Sequence, residues 1–303
     1  MFTWTKRISF FLITNFAIMI TLSIFLKLTG LDILLAQYFG GGYIGMFGMC
    51  LVYGMVFSFI SLWMSKGSAK RAYKIKILEE HDPSHNNLVM RVHNFAKGAG
   101  LEKMPEVGVY ESKQMNAFAT GPSKKNSLVA VSTGLMANMN QDEVDGVLAH
   151  EVAHIANGDM VTMTLIQGVM NAFVMFIAQI ITQIIMSAMR SDNSRSRGGF
   201  GGGGMFGYMI YMAVQSALGF FAMFVISYFS RRREFSADAG AAKLAGSHKM
   251  VAALKALQRQ FDMIKPASND KFQTMKISSK NGFMAMMSTH PPLEKRIQAL
   301  QGY

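Results

Sequence analysis

Five consecutive residues, His150-Glu151-Val152-Ala153-His154, carry the strongest chemical signal in the chain. Residues four apart share one face of an α-helix, so both imidazoles reach a single cation, and Glu151 lies within reach of a water beside it. Zinc suits two neutral imidazoles plus a carboxylate, in a tetrahedral site that leaves one position open. Such an ion lowers the pKa of water to about 7 and polarises a scissile carbonyl. Glu151 takes the water proton and passes it to the leaving amine. The bland alternative is two surface histidines on an amphipathic helix. With 7 histidines in 303 residues, the pattern arises by chance on the order of half a per cent of the time.

A third ligand is required. The metzincin pattern calls for Gly at 157 and His at 160, and Asn157 and Met160 stand there instead. Downstream, Glu234 is the leading candidate, directly after Arg231-Arg232-Arg233 and the last long apolar run. Its alternative is a surface carboxylate paired with those arginines. Asp238, one helical turn later, is placed to hydrogen-bond a ligand histidine and fix its orientation; the competing reading is a helix first-turn charge. His81, His85, His93 and His248 read as solvated or core residues.

The elements that must hold these groups are dominated by apolar segments. Half the residues are hydrophobic and 16% are charged, below the roughly 25% usual for soluble domains. Abundant Phe and Met exclude disorder, and the single Cys50 excludes an intramolecular disulfide framework. The uncharged run Ile8–Leu26 predicts a retained membrane helix over about 8–28, too long for a signal peptide and without an A-x-A-like exit. Gly40-Gly41-Gly42 breaks the next apolar stretch and leaves a second span over 43–64. Met160–Met189 and Met205–Ser230 lack the polar stripe of a surface helix and predict spans three and four.

Lys and Arg set the orientation. Eleven fall in 65–159 and thirteen in 231–303, which places the N-terminus and both polar parts in the cytoplasm. The Gly-rich linker 190–204 then lies outside with three arginines, so a re-entrant pair stays open as an alternative to two full crossings. The predicted layout is a membrane hairpin (1–64), a polar part with the motif helix (65–159), a second hairpin (160–230) and a polar part with the third ligand (231–303). Within 65–159, residues 84–99 show helical periodicity, while 106–110 and 127–132 alternate like short strands. Asn140 with Glu143 forms a capping pair for the motif helix, and Asn157-Gly158 ends it. The fold class is therefore mainly α with a small β-sheet, in an integral membrane protein with about four transmembrane helices.

Five ordered motifs resemble one family over nearly the full length: Asn116-Ala117-Phe118-Ala119-Thr120-Gly121, Val131–Leu135, His150–His154 running into Ala156–Met160, Glu234–Asp238, and Thr289-His290-Pro291-Pro292 through Arg296. The chain is similar to the HtpX-type membrane zinc metalloproteases, bacterial relatives of the CAAX prenyl proteases. That resemblance implies a gluzincin-like domain with one zinc on His150, His154 and Glu234, Glu151 as the base and Asp238 behind a ligand. It implies that Asn116, Ala117, Phe118 and Ala119 lie along the cleft, where an extended substrate adds as a strand; the alternative is an ordinary edge strand or turn. It further implies that His290 and Arg296 stabilise the oxyanion or hold the substrate backbone. His290-Pro291-Pro292 also reads simply as a helix start.

The resemblance implies quality control in the bacterial inner membrane, with misfolded or damaged membrane proteins as substrates cut on the cytoplasmic side. A non-catalytic metal-binding scaffold or regulator is the runner-up, and an intact Glu151 argues against it. A transporter usually places ionisable groups along a path within the bilayer, and the apolar runs here carry uncharged polar residues such as Asn15, Gln167 and Gln215. Nucleic-acid binding is weaker still, since the cations follow the orientation rule and form no aromatic-rich module. Oligomeric state leaves no mark in the sequence.

Because His154 and Glu234 must reach one ion, the apolar segments between them must return to the side they left. Reporters at Gly158 and Arg233 in intact cells should therefore share one face of the bilayer, and opposite-face labelling would rule the shared site out.

Overall fold

The computed structural model describes Gly30 and residues 42–79, 86–189, 204–264 and 290–301. The first expected span (8–28), most of the linker 190–204, Thr289, His81 and His85 lie outside them. In chain order the elements are α1 (Tyr43–Ala72), β1 (Lys76–Ile77), α2 (Asn86–Gly98), β2 (Glu106–Tyr110), β3 (Ala117–Ser123), β4 (Asn126–Ser132), α3 (Thr133–Asn138), α4 (Gln141–Asn157), α5 (Asp159–Met189), α6 (Gly204–Ala245), α7 (Ser247–Ile264) and α8 (Leu293–Gln301). Helix predominates, with one small mixed sheet.

Three of these helices, α1, α5 and α6, are long and apolar enough to cross a membrane. They coincide with the second, third and fourth expected spans. The helices outrun the apolar runs: α1 extends past Met64 to Ala72 and α6 past Ser230 to Ala245. Charge marks where an apolar stretch stops, whereas a helix ends where its last carbonyls are capped.

The chain divides into two compact units, residues 1–56 with 168–222, and residues 57–167 with 223–303. In the first, close helix approach rests on small residues. A Cβ on Gly54 would stand 2.5 Å from the Gly168 carbonyl oxygen and 2.9 Å from the Ala172 amide nitrogen, the contact expected where lipid supplies no hydrophobic drive between helices. Phe47 packs on Phe173 and Phe176 at ring separations of 5.5 and 5.1 Å. Large apolar side chains such as Ile44, Phe206 and Phe221 face outward.

The second unit holds the sheet and the motif helix. The strand order is β1-β2-β4-β3, with β2 and β4 parallel and both outer pairs antiparallel. Val107 of β2 and Val129 and Val131 of β4 pack with Leu148, Val152 and Ile155 of α4 and with Val89 and Val92 of α2. Each such fully buried aliphatic side chain contributes roughly 1.5–3 kcal/mol. The N-terminus of α4 carries the expected reciprocal cap, Asn140 accepting from the Glu143 amide and Glu143 accepting from the Asn140 amide, both at 3.0 Å. Gly158 ends the helix in the left-handed region at φ 73°. Buried Asp145 accepts from Arg91 of α2 at 2.6 Å and from Lys249 of α7 at 2.7 Å, tying α4 to both neighbours.

One contact positions the two halves of the expected metal site. A Cβ on Gly240 of α6 would lie 2.9 Å from the Ala153 Cβ of α4. Ala153 sits between the motif histidines, and Gly240 lies shortly after Glu234 and Asp238 on the same helix. Only a near-bare backbone at 240 lets the helices close to this distance. Gly240→Val should therefore destabilise the unit by about 1–3 kcal/mol of overpacking and weaken divalent-metal binding along with it; thermal unfolding and chelator competition indistinguishable from the parent would reject that role.

Candidate metal centre

His150 and His154 project from one face of α4, and Glu234 meets them from α6, with their candidate ligand atoms all within 4.8 Å of one another. The two Nε2 atoms lie 3.1 Å apart. Glu234 Oε2 is 3.6 Å from His150 Nε2, and Oε1 is 3.4 Å from His154 Nε2. Glu234 is only 1% exposed, and its buried Oε1 accepts no hydrogen bond.

The opposite edge of each imidazole is held by a carboxylate. His150 Nδ1 is 3.0 Å from Asp238 Oδ1, and His154 Nδ1 is 2.5 Å from Asp159 Oδ2. A proton shared at Nδ1 directs the Nε2 lone pair of each ring into the common space. Two lone pairs and an unsatisfied carboxylate oxygen facing one another repel unless a cation stands among them. The donor set therefore fits a metal ion.

The electrostatics agree. Burial alone would raise the Glu234 pKa, but its contacts with His150, His154 and His290 hold it well below the usual carboxylate range. Burial likewise opposes ionisation of Asp238, and its hydrogen bonds from Arg296 and His150 overcome this and lower its pKa. His154 moves up to about 9, because Asp159 and Glu234 outweigh the burial that would lower it. The His150 pKa also rises, with Asp238 and Glu234 overcoming burial. The pocket as built demands positive charge.

Arg296 of α8 is buried and bridges both carboxylate oxygens of Asp238, Nε at 2.7 Å and Nη2 at 2.6 Å, with Nη1 3.4 Å from Glu234. His290, just before α8, places Nδ1 2.9 Å from Glu234 Oε2 while its side chain stays 65% exposed. Glu151 is partly exposed, next to His150 on the motif helix. Asn116 precedes β3, and Ala117, Phe118 and Ala119 lie within it at the end of the sheet. His93 reaches the Pro105 carbonyl at 3.1 Å, away from the centre.

Sequence reasoning gave Asp159 no role and Arg233 only that of a surface partner for Glu234. Asp159 belongs to the Ala156–Met160 motif, which assigned it no role, yet it is buried against His154; its place one residue after the left-handed Gly158 was the available signal. Arg233 read as part of an orienting basic run, and its guanidinium lies 3.8 Å from Glu234 and 3.9 Å from Asp159.

The model of "Peptidase family M48" matches residues 83–303. The chain belongs to peptidase family M48. Over nearly its whole length it is similar to Protease HtpX of Aeromonas salmonicida (strain A449), 45% identical across 302 residues that cover 98% of this chain and 100% of that one. Protease HtpX of Shewanella sp. (strain W3-18-1) is 46% identical over 299 residues, covering 98% and 99%. The crystal structure of S. mikatae Ste24p superposes with a TM-score of 0.63 at 20% identity, over 95% of this chain and 65% of that one. The chain thus spans just under two thirds of Ste24p, and the likeness there is one of fold.

This M48 chain is accordingly a metallopeptidase and a membrane protein, as its motif helix and apolar segments led us to expect. The scaffold and transporter readings give way.

Asp159→Ala should lower metal affinity roughly 10–100-fold, the usual effect of removing a carboxylate behind a ligand histidine, and Glu234→Ala should lower it further. Competition with a chelator of known affinity measures both, and a parent-like Asp159→Ala would refute the assignment.

Proposed function

We propose that this M48 member is a zinc-dependent endopeptidase of the bacterial inner membrane, cutting membrane proteins, misfolded or damaged ones among them, on the cytoplasmic side. The observation that carries the proposal is the convergence of His150, His154 and an unsatisfied Glu234 oxygen beside Glu151. Two imidazoles and one carboxylate form the donor set zinc prefers in catalytic sites. When bound, zinc supplies Lewis acidity, making water acidic near neutral pH and polarising the substrate carbonyl.

The remaining steps belong to the chain itself. Glu151 accepts the proton of the attacking water and delivers it to the departing amine as the peptide C–N bond breaks. His290, exposed at the rim of the centre, is placed to stabilise negative charge that develops on the carbonyl oxygen. For Arg296 the geometry favours a positioning role: its guanidinium is committed to Asp238, which orients His150.

Substrate binding falls to β3. Asn116 donates its amide to Ser132 Oγ at 3.0 Å and accepts from the Ser132 amide at 2.9 Å, so its backbone faces β4. By the alternation of an antiparallel ladder, Ala117 and Ala119 turn their N–H and C=O groups outward, open to an added strand. The cytoplasmic orientation rests on the Lys and Arg excess of the polar parts. The role in membrane-protein quality control under stress extends the HtpX-type resemblance of the five sequence motifs.

Glu151→Gln keeps every proposed ligand and removes the base. Its zinc content should equal that of the parent while casein cleavage falls by several orders of magnitude; parent-level turnover would show that another group moves the proton.

A further inference from the structure

On the sheet face turned away from α4, three aromatic rings gather across β2, β4 and the edge strand β3. Side chains alternate along a strand. Ala117 and Ala119 pack into the core shared with Leu148 and Val152 of the motif helix, and Phe118 goes to the opposite face. There Phe118 stands 5.2 Å from Tyr73 and 5.7 Å from Tyr110, centroid to centroid, and the two tyrosines are 5.2 Å apart. Tyr110 is 4% exposed, whereas Tyr73 leaves 52% of its surface uncovered.

The position of Tyr73 is set by backbone. It follows α1 directly; its amide donates to the Ala69 carbonyl and the Ile75 amide to the Lys70 carbonyl, both at 3.0 Å, around Lys74 at φ 50°. A ring held this way, seated against two others and half open, presents a fixed apolar wall. Tyr110 ties the cluster to the start of β3: its hydroxyl donates to the Asn116 carbonyl at 3.5 Å, and burial raises its pKa.

We propose that Tyr73 and Phe118 form a specificity subsite that takes a large apolar side chain, aromatic or long aliphatic, from the substrate strand paired to β3. This rests on the peptidase reading above. A strand added along Ala117–Ala119 alternates its own side chains. Those on the α4 face turn toward the metal ligands, and those on the other face land against Phe118 and Tyr73. Cleavage then favours peptide bonds with a large apolar residue at one fixed offset, because that residue holds the strand in register as the carbonyl meets the centre.

The full-length, zinc-loaded chain in detergent is given a peptide library, and the cleavage sites are read by mass spectrometry. The parent should enrich Phe, Tyr, Leu or Met at one position near the cut. For matched peptides differing only there, the kcat/KM ratio of Phe over Ala should fall roughly three- to tenfold in Tyr73→Ala, the range an aromatic contact supplies. The fall should lie mainly in KM, and Tyr73→Phe should restore the ratio. Zinc content and thermal unfolding of each variant show that the fold is retained. An unchanged ratio in Tyr73→Ala and Phe118→Leu, with the parent cleaving normally, overturns the subsite. A parent that holds zinc and cleaves no peptide overturns the peptidase reading itself, and the subsite with it.

Discussion

A carboxylate sealed from water is the constraint on which the site depends. Glu234 is almost wholly buried, and an ion in that position is tolerated only when positive charge surrounds it. Two imidazoles, His290 and the guanidinium groups of Arg233 and Arg296 all stand within 4 Å of it. Asp238 and Asp159 in turn hold the imidazoles from behind. The arrangement alternates in layers: carboxylate, imidazole, carboxylate, guanidinium. A divalent ion completes it.

Helix packing makes those layers possible. The donors come from α4 and α6, whose motifs lie about eighty residues apart in the chain. The two helices are brought together where Ala153 faces Gly240. The elements around α4 act as its clamp: the sheet covers one side through Val129 and Val131, and ion pairs from α2 and α7 grip Asp145. A metal centre needs ligands fixed to within a fraction of an ångström, and that rigidity comes from a fully packed helix. The edge of the sheet is built differently: there β3 pairs with β4 alone, among the described residues.

Much of this was legible in the residues alone. The motif helix, its cap at Asn140 and Glu143, its stop at Gly158, and strands β2 and β4 follow from rules acting within a few positions, and the structure has them within a residue or so. Helix α2 was legible from its apolar period. Of the three long helices the apolar segments announced, α5 has the expected length, whereas α1 and α6 run on; α6 carries on through three arginines to Ala245, since charged residues past a span are good helix formers. The short β1 was hidden because two residues hold no period; of β3, irregular between Thr120 and Ser123, only the stretch up to Ala119 had been singled out, as a cleft strip or edge strand, since a bulge breaks the period beyond it.

By itself, the sequence determined which atoms can bind a metal and which can move a proton. His150, Glu151 and His154 share one helical turn, and the spacing that fixes their geometry is local. Which distant groups complete the centre was decided only by tertiary structure. Glu234 was nominated by its place after an apolar run, but Asp159 and Arg233 carried no local mark to set them apart from ordinary terminal charges. The same is true of Arg296: residue type identifies a cation, and only the packing of α8 shows that it spends its hydrogen bonds on Asp238. The physical reason is range. Helix spacing and caps operate over three or four residues, whereas burial, which turns an ordinary carboxylate into an obligatory partner, depends on segments far apart in the chain.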